Sequence, residues 1–116
     1  AHDSHNLIVA GTNDADMVLA GNPVRKNRGG LAFALNGQVV GELPLPVAGL
    51  MSTESAESVE EKLQALKAAL KAHGISEDID AFMTLAFVSL PVIPKLRLNT
   101  YGIVDVDAQR IVPAVF

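Results

Sequence analysis

The sequence lacks cysteine altogether and is short of positive charge. Without cysteine there can be no disulfide, no thiolate nucleophile and no cysteine-ligated zinc or iron-sulfur site. The chain contains nine Lys and Arg residues and thirteen Asp and Glu residues, so the formal net charge is −4. A nucleic-acid-binding surface needs clustered cations to neutralise phosphates, and we therefore expect no nucleic-acid partner. The nearest basic cluster, Arg25, Lys26 and Arg28, is interpreted as solvated surface in a loop.

Long apolar runs are also missing. No run reaches the roughly 18 residues that span a bilayer, and the first residues do not resemble a signal peptide. We expect no membrane partner and a soluble, cytoplasmic protein. The chain is nevertheless 49% hydrophobic, only 19% charged and has a mean hydropathy of +0.30. This composition predicts one folded domain over residues 1–116, more apolar than a small solitary domain needs to be, so that other protein is expected to cover part of its surface.

The pattern of elements predicts an α+β fold. Asn36-Gly37, between two apolar segments, predicts a β-hairpin at 31–43, because this dipeptide accepts positive φ at both positions of a tight turn. Leucines at helical spacing, with acidic residues before and basic residues after them, predict a long amphipathic helix at about 55–73. A shorter helix at about 13–22 is capped by Thr12 or Asn13 and is expected to stop or kink at Pro23.

The remaining segments predict strands. Leu7–Ala10 is compatible with a short buried strand, and the uncharged run 81–90 reads as a buried strand or a short buried helix. The tail is expected to hold short strands separated by turns at 99–102 and 107–109. Together these elements predict a mixed sheet covered by two helices.

The first six residues, AHDSHN, contain the most suggestive chemistry. His2 and His5 flank Asp3, and imidazole and carboxylate groups brought together can bind a metal or transfer a proton near neutral pH. A catalytic divalent ion usually takes three protein ligands with a supporting second shell, and this segment alone does not guarantee that geometry. Terminal histidines are also often idle. His73, near the end of the long helix, is assigned a structural role or an interaction with the helix dipole.

Other catalytic patterns are missing. AGTNDAD follows an apolar run and opens a helix, but it has neither the G-x-G-x-x-G nor the G-x-x-x-x-G-K-[ST] spacing of phosphate-binding loops. Its two aspartates would repel a phosphate, so helix capping is favoured over phosphate binding. None of the serines lies in a G-x-S-x-G elbow, and Ser52 and Ser55 are interpreted as capping residues. The chain therefore shows no complete catalytic apparatus.

Four strings in this order, AHDSHNLIVAGTNDADM, LPLPVAGLMS, FMTLAFVSLPVIPKLRL and YGIVDV, resemble the C-terminal region of bacterial-type adenine deaminase. This family belongs to the amidohydrolase superfamily, and the resemblance spans essentially the whole chain. It departs at AGNPVRKNRGG, where the family pattern continues as a helix and Pro23 intervenes.

The resemblance implies an enzyme that hydrolyses adenine to hypoxanthine and ammonia with a metal-bound hydroxide, as part of purine salvage. It implies a divalent metal, Mn or Fe, in the full enzyme, held by a preceding catalytic barrel whose H-x-H motif is missing from this sequence. No metal is expected within this segment, which should be inactive alone. Its partners would be the barrel of the same polypeptide, adenine as the substrate, and further copies in a homo-oligomer.

Under this reading His2, Asp3 and His5 either line the active site or only link two domains, and the residues favour neither role. Two rival hypotheses concern the whole chain. The first is a stand-alone binding or oligomerisation module without enzymatic activity. The second is a small metal-binding protein that uses His2, Asp3 and His5.

Overall fold

A computed structural model of the chain describes residues 1–115 and contains three helices and two antiparallel sheets. The described residues divide into two compact units. The hairpin unit is Val9–Asp80, and the terminal unit combines Ala1–Ile8 with the residues from Ala81 onward. The predicted α+β class is confirmed. The expectation of one domain over residues 1–116 stays a prediction.

The hairpin unit contains α1 (Asp14–Lys26), β1 (Gly30–Leu35), β2 (Gln38–Pro44) and α2 (Ala56–Ala72). β1 and β2 pair antiparallel around the Asn36-Gly37 turn, where φ is 52° and 78°. Both values are positive, as the tight hairpin turn requires. The predicted hairpin is therefore confirmed.

The long helix is also confirmed almost to the residue. Ser55 is its N-cap, with a side chain that accepts a hydrogen bond from the Ser58 N–H, and His73 is its C-cap. α2 packs on the hairpin, and its Leu66 is only 1% exposed. Leu66 and Leu43 of β2 are the buried hydrophobic residues within residues 1–115.

The short helix is longer than predicted. Asn13 caps it as expected, but α1 continues through Pro23 to Lys26, so the predicted end near residue 22 is wrong. Proline removes one helical hydrogen bond, whereas the following turn still forms, because the Asn27 N–H donates to the Pro23 carbonyl at 2.8 Å. Arg25 and Lys26 consequently lie in the last helical turn, beside the negative end of the helix dipole, and not in a loop.

The terminal unit contains α3 (Ala81–Phe87) and a sheet of three strands, β3 (Leu96–Asn99), β4 (Gly102–Asp105) and β5 (Arg110–Val112). The predicted strands and turns of the tail are confirmed. The strand alternative for the run from Ala81 is wrong. The alternative of a short buried helix is right in its secondary structure, but none of the residues of α3 is buried. Ala, Met and Leu favour a helix there, and the periodicity of so short an apolar run does not distinguish the two states.

The expected mixed sheet is replaced by two antiparallel sheets, β1-β2 and β3-β4-β5. Short turns join the successive strands of each sheet, and a parallel pair would need a crossover of about a dozen residues or more. The strand expected at Leu7–Ala10 is wrong: the described chain has no strand before Gly30. Leu7 is instead 56% exposed, and no strand offers this run a ladder of hydrogen bonds.

Candidate functional site

Residues 1–6, here called the N-terminal turn, form a tight turn. The His5 N–H donates to the Ala1 carbonyl at 3.0 Å, and the Ala1 nitrogen donates to the Asn6 carbonyl at 2.9 Å. His5 has a φ of 55°, in the left-handed region that few residues other than glycine adopt. Four other non-glycine residues of the described chain share this region, and histidine is enriched there, so the value marks a tight turn.

The turn presents its ionisable side chains to the outside. His2 Nε2 lies 3.5 Å from Asp3 Oδ2, and these side chains are 42% and 51% exposed. His5 is also exposed. The arrangement places an imidazole beside a carboxylate on an accessible loop, where the pair can donate and accept hydrogen bonds.

Two contacts tie this turn to the segment that ends α3. The rings of His2 and Phe87 meet edge to face, with their centroids 5.8 Å apart and their planes at 72°. The Ser4 and Ser89 hydroxyls form a hydrogen bond of 2.5 Å, in which either oxygen could be the donor. Ser89 is only 4% exposed and is the buried polar residue of the described chain.

Within residues 1–115, no three His, Asp or Glu side chains converge closely enough to hold a metal ion. His2 and Asp3 lie together, but His5 does not complete a three-ligand set with them. The turn therefore offers hydrogen-bonding and proton-transfer groups, and a metal centre would need ligands from elsewhere.

Sequence reasoning did not single out Ser89. The available signal was weak: a lone hydroxyl at the end of the uncharged run AFMTLAFVSL, where a polar side chain would need a partner if buried. Its partner is 85 positions away in the sequence, so that only the fold reveals the pair.

The other sequence candidates have structural roles. Asn13 Oδ1 accepts from the Asp16 N–H at 2.8 Å, which confirms capping at AGTNDAD. The Asp16 carboxylate itself accepts from backbone N–H groups of the hairpin turn. The His73 ring lies 5.9 Å from that of Phe33, within the hairpin unit. Ser52 accepts a hydrogen bond from the Glu54 N–H at 3.0 Å, just before α2.

No helix among residues 1–115 is both long and apolar enough to cross a membrane.

Comparison with known proteins gives one consistent answer. A family model described as the adenine deaminase C-terminal domain matches residues 1–110. "Adenine deaminase 2" of Carboxydothermus hydrogenoformans is 50% identical over 113 residues, which are 97% of this chain and 20% of that protein. "Adenine deaminase" of Kosmotoga olearia is 56% identical over 105 residues, 90% of this chain and 18% of that protein.

A third relative, "Adenine deaminase" of Shigella sonnei, is 50% identical over 107 residues, 92% of this chain and 18% of that protein. The chain thus spans about a fifth of the length of the curated relatives it matches.

Proposed function

The chain belongs to the adenine deaminase C-terminal domain family, and we propose that it works as one part of a longer enzyme that hydrolyses adenine to hypoxanthine and ammonia. The names and lengths of the relatives support this proposal, since each is called an adenine deaminase and is about five times longer than the matched segment. The enzyme would belong to the amidohydrolase superfamily and serve purine salvage in the cytoplasm.

The metal chemistry of this enzyme is assigned to the rest of the polypeptide. A divalent ion, Mn or Fe, would supply a bound water of lowered pKa there. The described residues of this chain do not fit a metal centre by themselves, because they offer no three-ligand cluster. We therefore assign no metal-dependent step to them.

The contribution of this chain to the active site is assigned to the N-terminal turn. The observation that carries this assignment is the turn that holds His2, Asp3 and His5 exposed within four positions, with His2 Nε2 3.5 Å from Asp3 Oδ2. An imidazole or carboxylate at the edge of a purine site could hydrogen-bond the ring nitrogens or a metal-bound water. The remaining exposed apolar side chains, such as Leu96 and Leu98, would pack against the barrel or a second subunit.

A two-part experiment tests the proposal. Adenine turnover is measured for the complete enzyme, for the enzyme lacking residues 1–116, for the isolated segment, and for the two pieces mixed. We expect activity in the complete enzyme and none in the isolated segment. Full activity without residues 1–116 would show that the segment is dispensable and would favour a separate binding or oligomerisation module.

The second part concerns the turn in the complete enzyme. His2→Phe keeps an aromatic ring against Phe87 but removes the imidazole nitrogens, and His5→Ala removes the second imidazole. His73→Ala, in the hairpin unit, is the matched loss of a histidine. Loss of kcat/KM in either turn variant but not in His73→Ala supports the active-site role. Unchanged kinetics in both would assign the turn to linking domains.

A further inference from the structure

We infer that Ser89 is a positioning residue of the adenine deaminase active site, which acts through the Ser4 hydroxyl to fix the N-terminal turn. This inference rests on the active-site role proposed for that turn. Ser89 itself is buried and does not reach the exposed side of the turn, so it acts on His2, Asp3 and His5 only through the backbone that carries them.

The hydroxyl pair is a defined connection. Its oxygens are 2.5 Å apart, at the short end for O–H···O bonds, and one partner is 96% buried. A buried hydroxyl has few other partners available, since water is excluded, so Ser89 has a strong preference for the conformation of the turn in which Ser4 faces it.

The anchor at Ser89 is itself held in place. The carbonyl of the preceding Val88 accepts a hydrogen bond of 2.9 Å from the Leu98 N–H of β3, and the Leu90 N–H donates to the Phe87 carbonyl at 3.2 Å. The segment from Phe87 to Leu90 is therefore fixed to both α3 and the three-stranded sheet. Because the N-terminal turn is attached to this segment, its position relative to the three-stranded sheet is also fixed.

The N-terminal turn is attached to this segment at two residues, His2 and Ser4. His2 contacts Phe87 and Ser4 contacts Ser89, so Asp3 lies between two anchored residues and His5 directly follows the second. A contact between rings is less directional than a hydrogen bond, so the Ser4–Ser89 hydroxyl pair fixes the direction and distance of the turn more tightly than the His2–Phe87 contact does. The serines thus supply the precision that catalytic groups require, where a misplacement of about 1 Å can cost about a hundredfold in rate.

The test uses the complete enzyme with its own metal. Ser89→Ala and Ser4→Ala should each lower kcat by about tenfold to a hundredfold, with a smaller change in KM. Ser4→Thr keeps a hydroxyl on a half-buried residue and should retain most of the activity. Ser76→Ala, which removes a hydroxyl bonded to the exposed Asp78, is the matched control and should leave kcat unchanged.

A thermodynamic cycle separates positioning from general destabilisation. Ser89→Ala should add little to the loss already caused by His5→Ala, because both changes remove the same contribution. If the losses of kcat from Ser89→Ala and His5→Ala are fully additive, the inference is overturned. The effect of Ser89→Ala would then not act through the turn. The thermal midpoints of all variants are measured so that assays are run well below unfolding.

Two further outcomes distinguish this inference from the proposed function. If His5→Ala lowers kcat but Ser89→Ala and Ser4→Ala do not, the turn is functional and the positioning role of Ser89 is wrong. If His2→Phe, His5→Ala and Ser89→Ala all leave kcat and KM unchanged, the active-site role of the turn fails, and the inference fails with it.

Discussion

Asp16 Oδ1 accepts a hydrogen bond of 2.8 Å from the backbone N–H of Gly37, so that the first turn of α1 holds the tip of a hairpin 21 residues further along the chain. Asp16 Oδ2 accepts a second bond of 3.0 Å from the Asn36 N–H. The same carboxylate is bonded by Asn13 Nδ2 at 3.1 Å. One side chain thereby connects a helix cap to the β1–β2 turn.

Replacing this carboxylate should loosen the hairpin unit. Asp16→Ala leaves the N–H groups of Asn36 and Gly37 without their side-chain acceptor, so we expect a lower midpoint in urea unfolding. Asp14→Ala, in the same helical turn, is the matched control for the loss of a first-turn acidic residue. Equal effects of the two substitutions would reduce the role of Asp16 to its interaction with the helix dipole.

The contribution of Asp16 to the free energy of unfolding should also depend on pH. Hydrogen bonds from Asn13, then Gly37 and Asn36, lower the pKa of Asp16 from its ordinary value of 3.8. Because the folded pKa lies below the unfolded one, the stabilisation is fully present above about pH 4 and is lost as the pH falls through the folded pKa. The difference in unfolding midpoint between wild type and Asp16→Ala should therefore be constant near neutrality and shrink below about pH 4. A difference in unfolding midpoint that grows below about pH 4 would contradict this prediction.

The close approach of Gly41 to Leu66 gives a packing prediction. A Cβ atom at Gly41 would lie 2.9 Å from Leu66 Cδ2, and Leu66 is 1% exposed. Gly41→Ala should cost about 1–3 kcal/mol in chemical unfolding, because the buried leucine has to shift. Gly21→Ala is the control: its Cβ would meet Val9 at an ordinary 3.6 Å inside α1, where alanine is neutral or stabilising.

A double substitution checks the origin of that cost. Leu66→Ala alone should cost about 2–5 kcal/mol through lost burial and the cavity it leaves. In Gly41→Ala/Leu66→Ala the new methyl group meets vacated space, so the two costs should sum to more than the measured total. Strict additivity would mean that Gly41→Ala acts through the backbone and not through contact with Leu66.

The N-cap of α2 gives a further prediction. Ser55 Oγ accepts from the Ser58 N–H at 3.3 Å, so Ser55→Ala should cost about 1 kcal/mol of stability, whereas Ser55→Asn should cost much less. Both are compared with wild type in urea unfolding monitored by circular dichroism. Equal losses in the two variants would show that the loss of stability does not come from the capping hydrogen bond.

Local chemistry explains which parts of the fold could be predicted from sequence. The hairpin turn, the α2 caps and the tail turns depend on residues adjacent in the chain, such as Asn36-Gly37 and Ser55, and these predictions hold. The end of α1 was mispredicted because tertiary packing can offset the unfavourable helix propensity of Pro23. Helix propensity alone does not include that packing. The short run from Ala81 was ambiguous because helix and buried strand share its composition.

The candidate residues of the N-terminal turn could be named from the sequence, but the contacts that hold the turn in place could not. His2, Asp3 and His5 stand out by type and proximity, and their role at the adenine deaminase active site stays a prediction. The anchors at Phe87 and Ser89 belong to a segment more than 80 positions away. Pairing a serine in the first turn with a serine after α3 requires knowledge of the fold, because a lone hydroxyl has no periodicity or motif that identifies its partner.

The β3–β4 turn provides the last prediction, and it tests whether side-chain oxygens hold the terminal unit as Asp16 holds the hairpin unit. Asn99 Oδ1 accepts from the Tyr101 N–H at 2.8 Å and from the Gly102 N–H at 3.2 Å. Asn99→Ala removes both bonds and should cost about 1–2 kcal/mol, whereas Asn99→Asp keeps an acceptor oxygen and should cost less.

Thr100→Ala, at an exposed position of the same turn, is the matched control and should have little effect. Hydrogen exchange at Tyr101 and Gly102 supplies the local measurement, since their amides should exchange faster in Asn99→Ala than in Asn99→Asp or Thr100→Ala. If exchange at these amides is the same in all three variants, the backbone pairing of β3 with β4 is sufficient to close the turn. The Asn99 side chain would then be a consequence of the turn's geometry and not its cause.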